Sequence, residues 1–219
     1  MDDHNEALSA DALRLLEEQL GRMRGMLYNY YDQFYRFLHI SIVVLIVLIV
    51  VALAGVERAI LLGPFYVVYV GFHSSYLFSY VILARTYATA IERRLNRHIG
   101  SDLLIAHELE AAYIFPFSRR RFVAFSPVNR GSFLSAETVQ FTAGGALLFA
   151  VLSVWSIRIA WDISALWGLV YLAGLLLWGA GNLGYLMWYY FVSDYERRPR
   201  AILEACYGIS FTGDDGAPF

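Results

Sequence analysis

FLHISIVVLIVLIVVALAGV, residues 37–56, decides the fold: twenty residues with no charged side chain. A helix rises ~1.5 Å per residue and a bilayer core is ~30 Å thick, so this run is long enough to cross one. Three more uncharged runs follow, at residues 59–84, 138–156 and 163–193. The expectation is an all-α integral membrane protein. Its four transmembrane helices form two hairpins, and spans one and two extend into the cytoplasm as helices.

The basic residues orient the hairpins. The chain has 17 Arg and no Lys. Arg14, Arg22, Arg24 and Arg36 precede span one, and Arg197, Arg198 and Arg200 follow span four. Arg85, Arg93, Arg94, Arg97, Arg119, Arg120, Arg121 and Arg130 lie between spans two and three. Only Arg58 and Arg158 adjoin the short turns within the pairs. Arginine near span ends stays on the cytoplasmic side, so both termini and the central loop are expected there, with a bacterial cytoplasmic membrane as the expected host. The layout divides into a cytoplasmic amphipathic helix (1–37), hairpin one (38–84), a cytoplasmic loop (85–137), hairpin two (138–193) and a cytoplasmic tail (194–219).

Composition narrows the function. A formal net charge of −2 leaves no basic excess for nucleic acid. Cys206 is the only cysteine, so neither an intrachain disulfide nor a cysteine metal site can form. The polar, acidic start gives no sign of a cleavable signal.

Leu13, Leu16, Leu20, Met23, Leu27, Tyr30, Phe34 and Phe37 repeat at alternating spacings of three and four. This heptad stripe has two readings. It joins copies as a coiled coil, or it packs on the protein's own cytoplasmic part. Beyond span two, Tyr87, Ile91 and Leu95 form an apolar face that Gly100 ends. Ser101 or Asp102 can cap a further helix to about Tyr113. Residues 115–125 then interleave Phe with Arg, a composition suited to a membrane interface.

Span two carries the sharpest functional signal. Tyr66, Tyr69, His73, Tyr76 and Tyr80 are spaced three, four, three, four and share one helical face. Hydroxyls and an imidazole are costly against lipid, so the row is expected to face protein or water. In span four, Trp178, Asn182, Tyr185 and Tyr189 share a face. Counting from the cytoplasmic ends puts His73 and Asn182 at similar depth, which predicts a polar layer joining them. The row either lines an aqueous pathway with His73 as gate or holds helices together by hydrogen bonds.

The arginines Arg93, Arg94, Arg97, Arg119, Arg120 and Arg121 are candidates for anionic lipid headgroups or a small anionic ligand. His107-Glu108 starts a zinc-protease pattern, but Ala111 stands where the second histidine belongs. His39 and His73 differ in depth by about 15 Å from helix rise, too far to clamp a haem within one chain. No metal, cofactor or catalytic constellation is expected. In layout, though in no motif, the chain is similar to small multi-span channel-like proteins, bacterial membrane effectors among them. The expected function is a homo-oligomeric channel or pore gated through its cytoplasmic helices. The alternative is an adaptor subunit presenting those helices to a protein partner.

Overall fold

The computed structural model describes residues 9–106, 133–191 and 197–209. Its regular structure is α1 (Ala10–Leu53), a 3-10 helix (Glu57–Leu62), α2 (Gly63–Ile99), α3 (Phe133–Ile163), α4 (Ala165–Phe191) and α5 (Arg197–Tyr207). No strand occurs among the described residues. Four helices are long and apolar enough to cross a membrane: α1, the run Glu57–Ile99 containing α2, Gln140–Ile163 of α3 and Ala165–Tyr189 of α4.

Local chemistry sets the boundaries. Ser9 Oγ accepts from Ala12 N at 3.2 Å and starts α1, with Asp11 in the first turn to complement the helix dipole. Pro64 sits in the first turn of α2, where a missing N–H costs nothing. Gly100, at φ +72°, closes α2 in the left-handed conformation that a side chain resists. Past that cap the chain turns back. Asn96 Nδ2 donates to Leu104 O and Leu104 N donates to Asn96 Oδ1, each at 2.9 Å. Residues 101–105 are therefore not helical, although Ser101 and Asp102 offered caps. The remainder of that expected helix, the Phe/Arg segment, His107-Glu108 and Arg119–Arg121 lie outside the described residues.

The chain divides into two compact units, and α1 and α2 each supply residues to both. The first unit comprises residues 1–31, 79–136 and 194–219. In it the heptad stripe is covered by its own chain. Leu13, Leu16, Leu20 and Met23 pack against Tyr87, Ile91 and Leu95 of α2, with Leu104 and Tyr207 beside them. Tyr30 stacks on Tyr80 with ring centres 4.7 Å apart and planes at 8°. Leu203 and Ile209 close over Ala90. Of the two readings of the stripe, packing within the chain is the one this arrangement contains.

The second unit comprises residues 32–78 and 137–193. Its core joins Leu45 and Ala52 of α1, Ile60 of the 3-10 helix, and Leu152 and Ile159 of α3. Gly63 lets α2 start close to α3, since a Cβ there would stand 3.2 Å from Leu152 Cδ1. Ser164 alone separates α3 from α4, and its Oγ accepts from Trp167 N at 3.2 Å. A Cβ on Gly168 would run into the Trp161 ring, so glycine is what lets the turn close. Around this core, Val43, Ile46, Val47 and Val50 of α1 and Leu169, Val170, Leu176 and Leu177 of α4 are all exposed. An apolar surface of this extent is foreign to a monomer in water.

Candidate functional site

The tyrosine–histidine row forms a ring ladder along α2 in the second unit. Tyr66 and Tyr69 have centres 6.1 Å apart, Tyr69 and His73 stack at 5.7 Å, and His73 and Tyr76 lie at 5.9 Å. The alternating spacing produces this directly, because residues three and four apart are helical neighbours. Phe37 of α1 backs the ladder, 4.5 Å from the His73 ring and 6.1 Å from Tyr69.

The other side of the ladder is open. Tyr69 is 44% exposed and Tyr76 is 50% exposed, with His73 half-buried between them. Among the described residues neither the Tyr69 nor the His73 side chain makes a hydrogen bond, so their side-chain interactions within the chain are ring contacts. Tyr80 is placed in the first unit, stacked on Tyr30.

Helix α4 meets a different face of α2. Trp178 Nε1 donates to Phe65 O at 3.3 Å, Phe65 and Tyr171 meet edge to face at 5.6 Å, and Phe72 and Tyr185 lie 5.5 Å apart. Tyr171 O–H donates to Leu61 O at 2.8 Å. Asn182 Nδ2 bonds back to Trp178 O within its own helix, at 2.8 Å. No described hydrogen bond joins His73 to Asn182 in the chain. Phe72 turns to α4 while its neighbour His73 turns to Phe37 of α1, as the ~100° step between adjacent helical residues requires.

The first unit holds polar contacts that the sequence reading did not single out. Glu92 is 2% exposed and receives a short ion pair from Arg24, whose guanidinium is itself largely buried. A buried carboxylate persists only when paired in this way. One signal for it was present: Ala84, Ala88, Glu92 and Asn96 recur every four residues beside the apolar face, and all four are buried.

A second cluster links three helices. Tyr87 O–H donates to Gln19 Oε1 at 3.1 Å, Tyr207 O–H donates to the same oxygen at 3.2 Å, and the two phenol oxygens are 3.0 Å apart. Arg97 donates to Gly208 O at the end of α5, where a cation complements the helix dipole. Arg93 and Arg94 are half-buried on α2 and Arg97 is exposed. Of the candidate anion-binding arginines, then, Arg97 is engaged at a helix end. A half-open groove of about 710 Å³ runs alongside, lined in part by Leu13, Leu20, Arg24, Leu95, His98 and Leu104. No group of three or more His, Cys, Asp or Glu suited to a metal occurs among the described residues.

Burial pushes the Tyr207 phenol well above its ordinary value, and the hydrogen bond and charge of Tyr87, with Cys206, push it further. The fold therefore holds a proton that the unfolded chain releases near pH ~10. This contribution is complete below that pH and is lost as pH rises beyond it. Thermal unfolding followed from neutral pH into the alkaline range should show stability falling above about pH 10, with a shallower fall in Tyr207→Phe. Equal slopes for parent and variant would contradict it.

Searches of protein-family models, curated proteins and solved structures find nothing that matches this chain.

Proposed function

We propose that the chain is a four-span membrane protein that assembles with copies of itself into a channel. The spans form two hairpins in a bacterial cytoplasmic membrane, with both termini and the central loop cytoplasmic. Arginine placement supports that orientation, because the outer turns carry only Arg58 and Arg158. Anionic headgroups are the expected lipid neighbours of the cytoplasmic arginines.

One observation carries the channel reading: the half-exposed face of Tyr69, His73 and Tyr76 on α2. Hydroxyls and an imidazole facing lipid would be costly, and the chain's own helices leave this face open. Several copies arranged about an axis would turn the face towards a shared aqueous path, with His73 at the constriction and Tyr66 beside it. Asn182 and Tyr185 then support α2 from behind, through Trp178 and Phe72. Helices α1 and α2 continue without interruption from the first unit into the second, which suits gating from the cytoplasmic segments.

The runner-up is an adaptor subunit, favoured by the groove beside Leu13 and Leu95, which offers a cytoplasmic protein an apolar surface. Light scattering on the purified protein, with the detergent mass subtracted, separates the two. A discrete oligomer of roughly four or more chains is the expected result, since a closed symmetric ring is how identical subunits enclose an axis. A clean monomer would sink the self-assembled channel and leave the adaptor.

A further inference from the structure

We infer that the ring ladder of α2 stands in the cytoplasmic half of the bilayer, with His73 and Tyr76 at the headgroup layer, an assignment that rests on the membrane-spanning reading of the second unit and not on assembly of copies. On the channel reading, His73 is then the cytoplasmic mouth of the path rather than its midpoint.

The uncharged run of α2 leaves its own height open. Residues 59–84 number 26 and measure ~39 Å as helix, about 9 Å more than a bilayer core. The run can slide by that excess, and His73 slides with it. Contacts with α1 and α4 remove the freedom.

Helix α1 gives the first mark. Arg36 and Asp32 form an ion pair whose side chains are 72% and 67% exposed, which belongs with water or headgroups. The twenty uncharged residues that follow, 37–56, measure ~30 Å and match the core with nothing to spare. Phe37 is therefore the first residue inside. His73 lies against Phe37, and Phe78 lies 5.8 Å from Phe34, a turn nearer the charged end. The boundary on α2 is thus close to His73.

Helix α4 gives the second mark from different residues. Trp167 and Trp188 are both exposed and stand 21 residues apart, ~31 Å along the helix. That is the separation of the two interfaces at which tryptophan collects. Trp178, midway, donates Nε1 to Phe65 O, whereas Trp167 and Trp188 make no described hydrogen bond through Nε1. At the ends, water and lipid oxygens can accept; midway, only protein can. Phe65–Trp178 and Phe72–Tyr185 are both 113 positions apart, so α2 and α4 run parallel in a register that levels Trp188 with Ser75. The two marks agree to within a turn.

The rest of the run fits this height. Leu77, Val81, Ile82 and Ala84, beyond the boundary, are buried by protein, so their apolar character needs no lipid. The side chains of His73 and Tyr69, which the chain leaves without hydrogen bonds, meet water and lipid oxygens at or near the headgroups. Tyr66 lies about 10 Å deeper than His73, within the hydrocarbon, where the cost of facing lipid still applies.

Depth-dependent quenching tests the assignment. The full-length protein with Cys206→Ser carries a fluorophore on one introduced cysteine, in phosphatidylcholine–phosphatidylglycerol vesicles. The quencher is a nitroxide lipid, labelled either at the headgroup or at the chain end. Three exposed positions are compared: Tyr76→Cys on the ladder, Met187→Cys beside Trp188, and Val47→Cys. Val47 is ten residues past Phe37, ~15 Å, and so marks the midplane. The headgroup lipid should quench labels at 76 and 187 roughly three-fold or more better than the chain-end lipid, given the ~15 Å half-thickness, with the order reversed at 47. Weak total quenching at 76 with the same ratio also supports the assignment, since the face then turns from lipid without changing height. Labels at 76 and 187 that follow the pattern at 47 overturn it. So does disagreement between 76 and 187, because the register of α2 and α4 would not hold in the membrane. A label at 47 that neither lipid quenches would sink the membrane reading itself, and the assignment with it.

Discussion

Replacing Glu92 with Ala should lower the stability of the first unit by about 3–5 kcal/mol, the usual consequence of stranding one member of a buried ion pair. Glu92 is 2% exposed and its partner Arg24 is 18% exposed, so the guanidinium left behind has little water to turn to. The surface pairs provide an internal control. Arg14–Glu18 and Arg36–Asp32 are both i,i+4 pairs with well-exposed partners, and breaking either should cost about 0.5 kcal/mol or less. The double variant Arg24→Ala with Glu92→Ala should cost less than the sum of the two single changes, because no charge is stranded. Denaturant titration in detergent, following the first unit, measures all of these. A Glu92→Ala cost no larger than that of Arg36→Ala would mean that the buried pair does not hold α1 to α2.

The second large effect tests the proposed channel, with a cation as the permeant probe. In liposomes, His73→Arg should cut cation flux about ten-fold or more. A ten-fold change needs only about 1.4 kcal/mol, whereas a fixed charge 4 Å from a passing cation opposes it by about 4 kcal/mol at an effective dielectric of 20. The imidazole is held in place, with Phe37 at 4.5 Å and Tyr69 stacked at 5.7 Å, so residue 73 has a defined position from which to act. His73→Phe separates charge from packing. It preserves the contacts with Phe37, Tyr69 and Tyr76, and its flux should stay much closer to the parent than that of His73→Arg. Unchanged flux in His73→Arg, at an unchanged oligomeric mass, would remove this row from the conduction path.

The apolar runs were legible because length and lack of charge suffice to identify helices of membrane-crossing size. The run at residues 37–56 lies almost wholly within α1, and the four uncharged runs correspond to the four long helices. Gly100 was equally readable as the end of α2, since the signal is local. The spacing of Leu13, Leu16, Leu20 and Met23 identified a buried face but not what buries it. Tyr87, Ile91 and Leu95 are distant in sequence, and periodicity carries no information about partners. The same limit applied to depth counting. His73 and Asn182 can share a height, yet counting along an axis says nothing of rotation about it, and Phe72 is the residue that turns to α4. The Gln19 cluster was beyond reach for a further reason: it joins residues 68 and 188 positions apart, and no short motif marks a glutamine that will accept from two phenols.

The junction at Ser164 has a consequence for biogenesis. With one residue between α3 and α4, and with Trp161 lying over Gly168, no slack exists for one helix to be threaded while the other waits. In the proposed membrane topology the pair would enter as one preformed object, with a single orientation for both helices. In the proposed topology Arg158, three residues before Trp161, would be carried across with the turn, helped by the apolar surface of two helices rather than one.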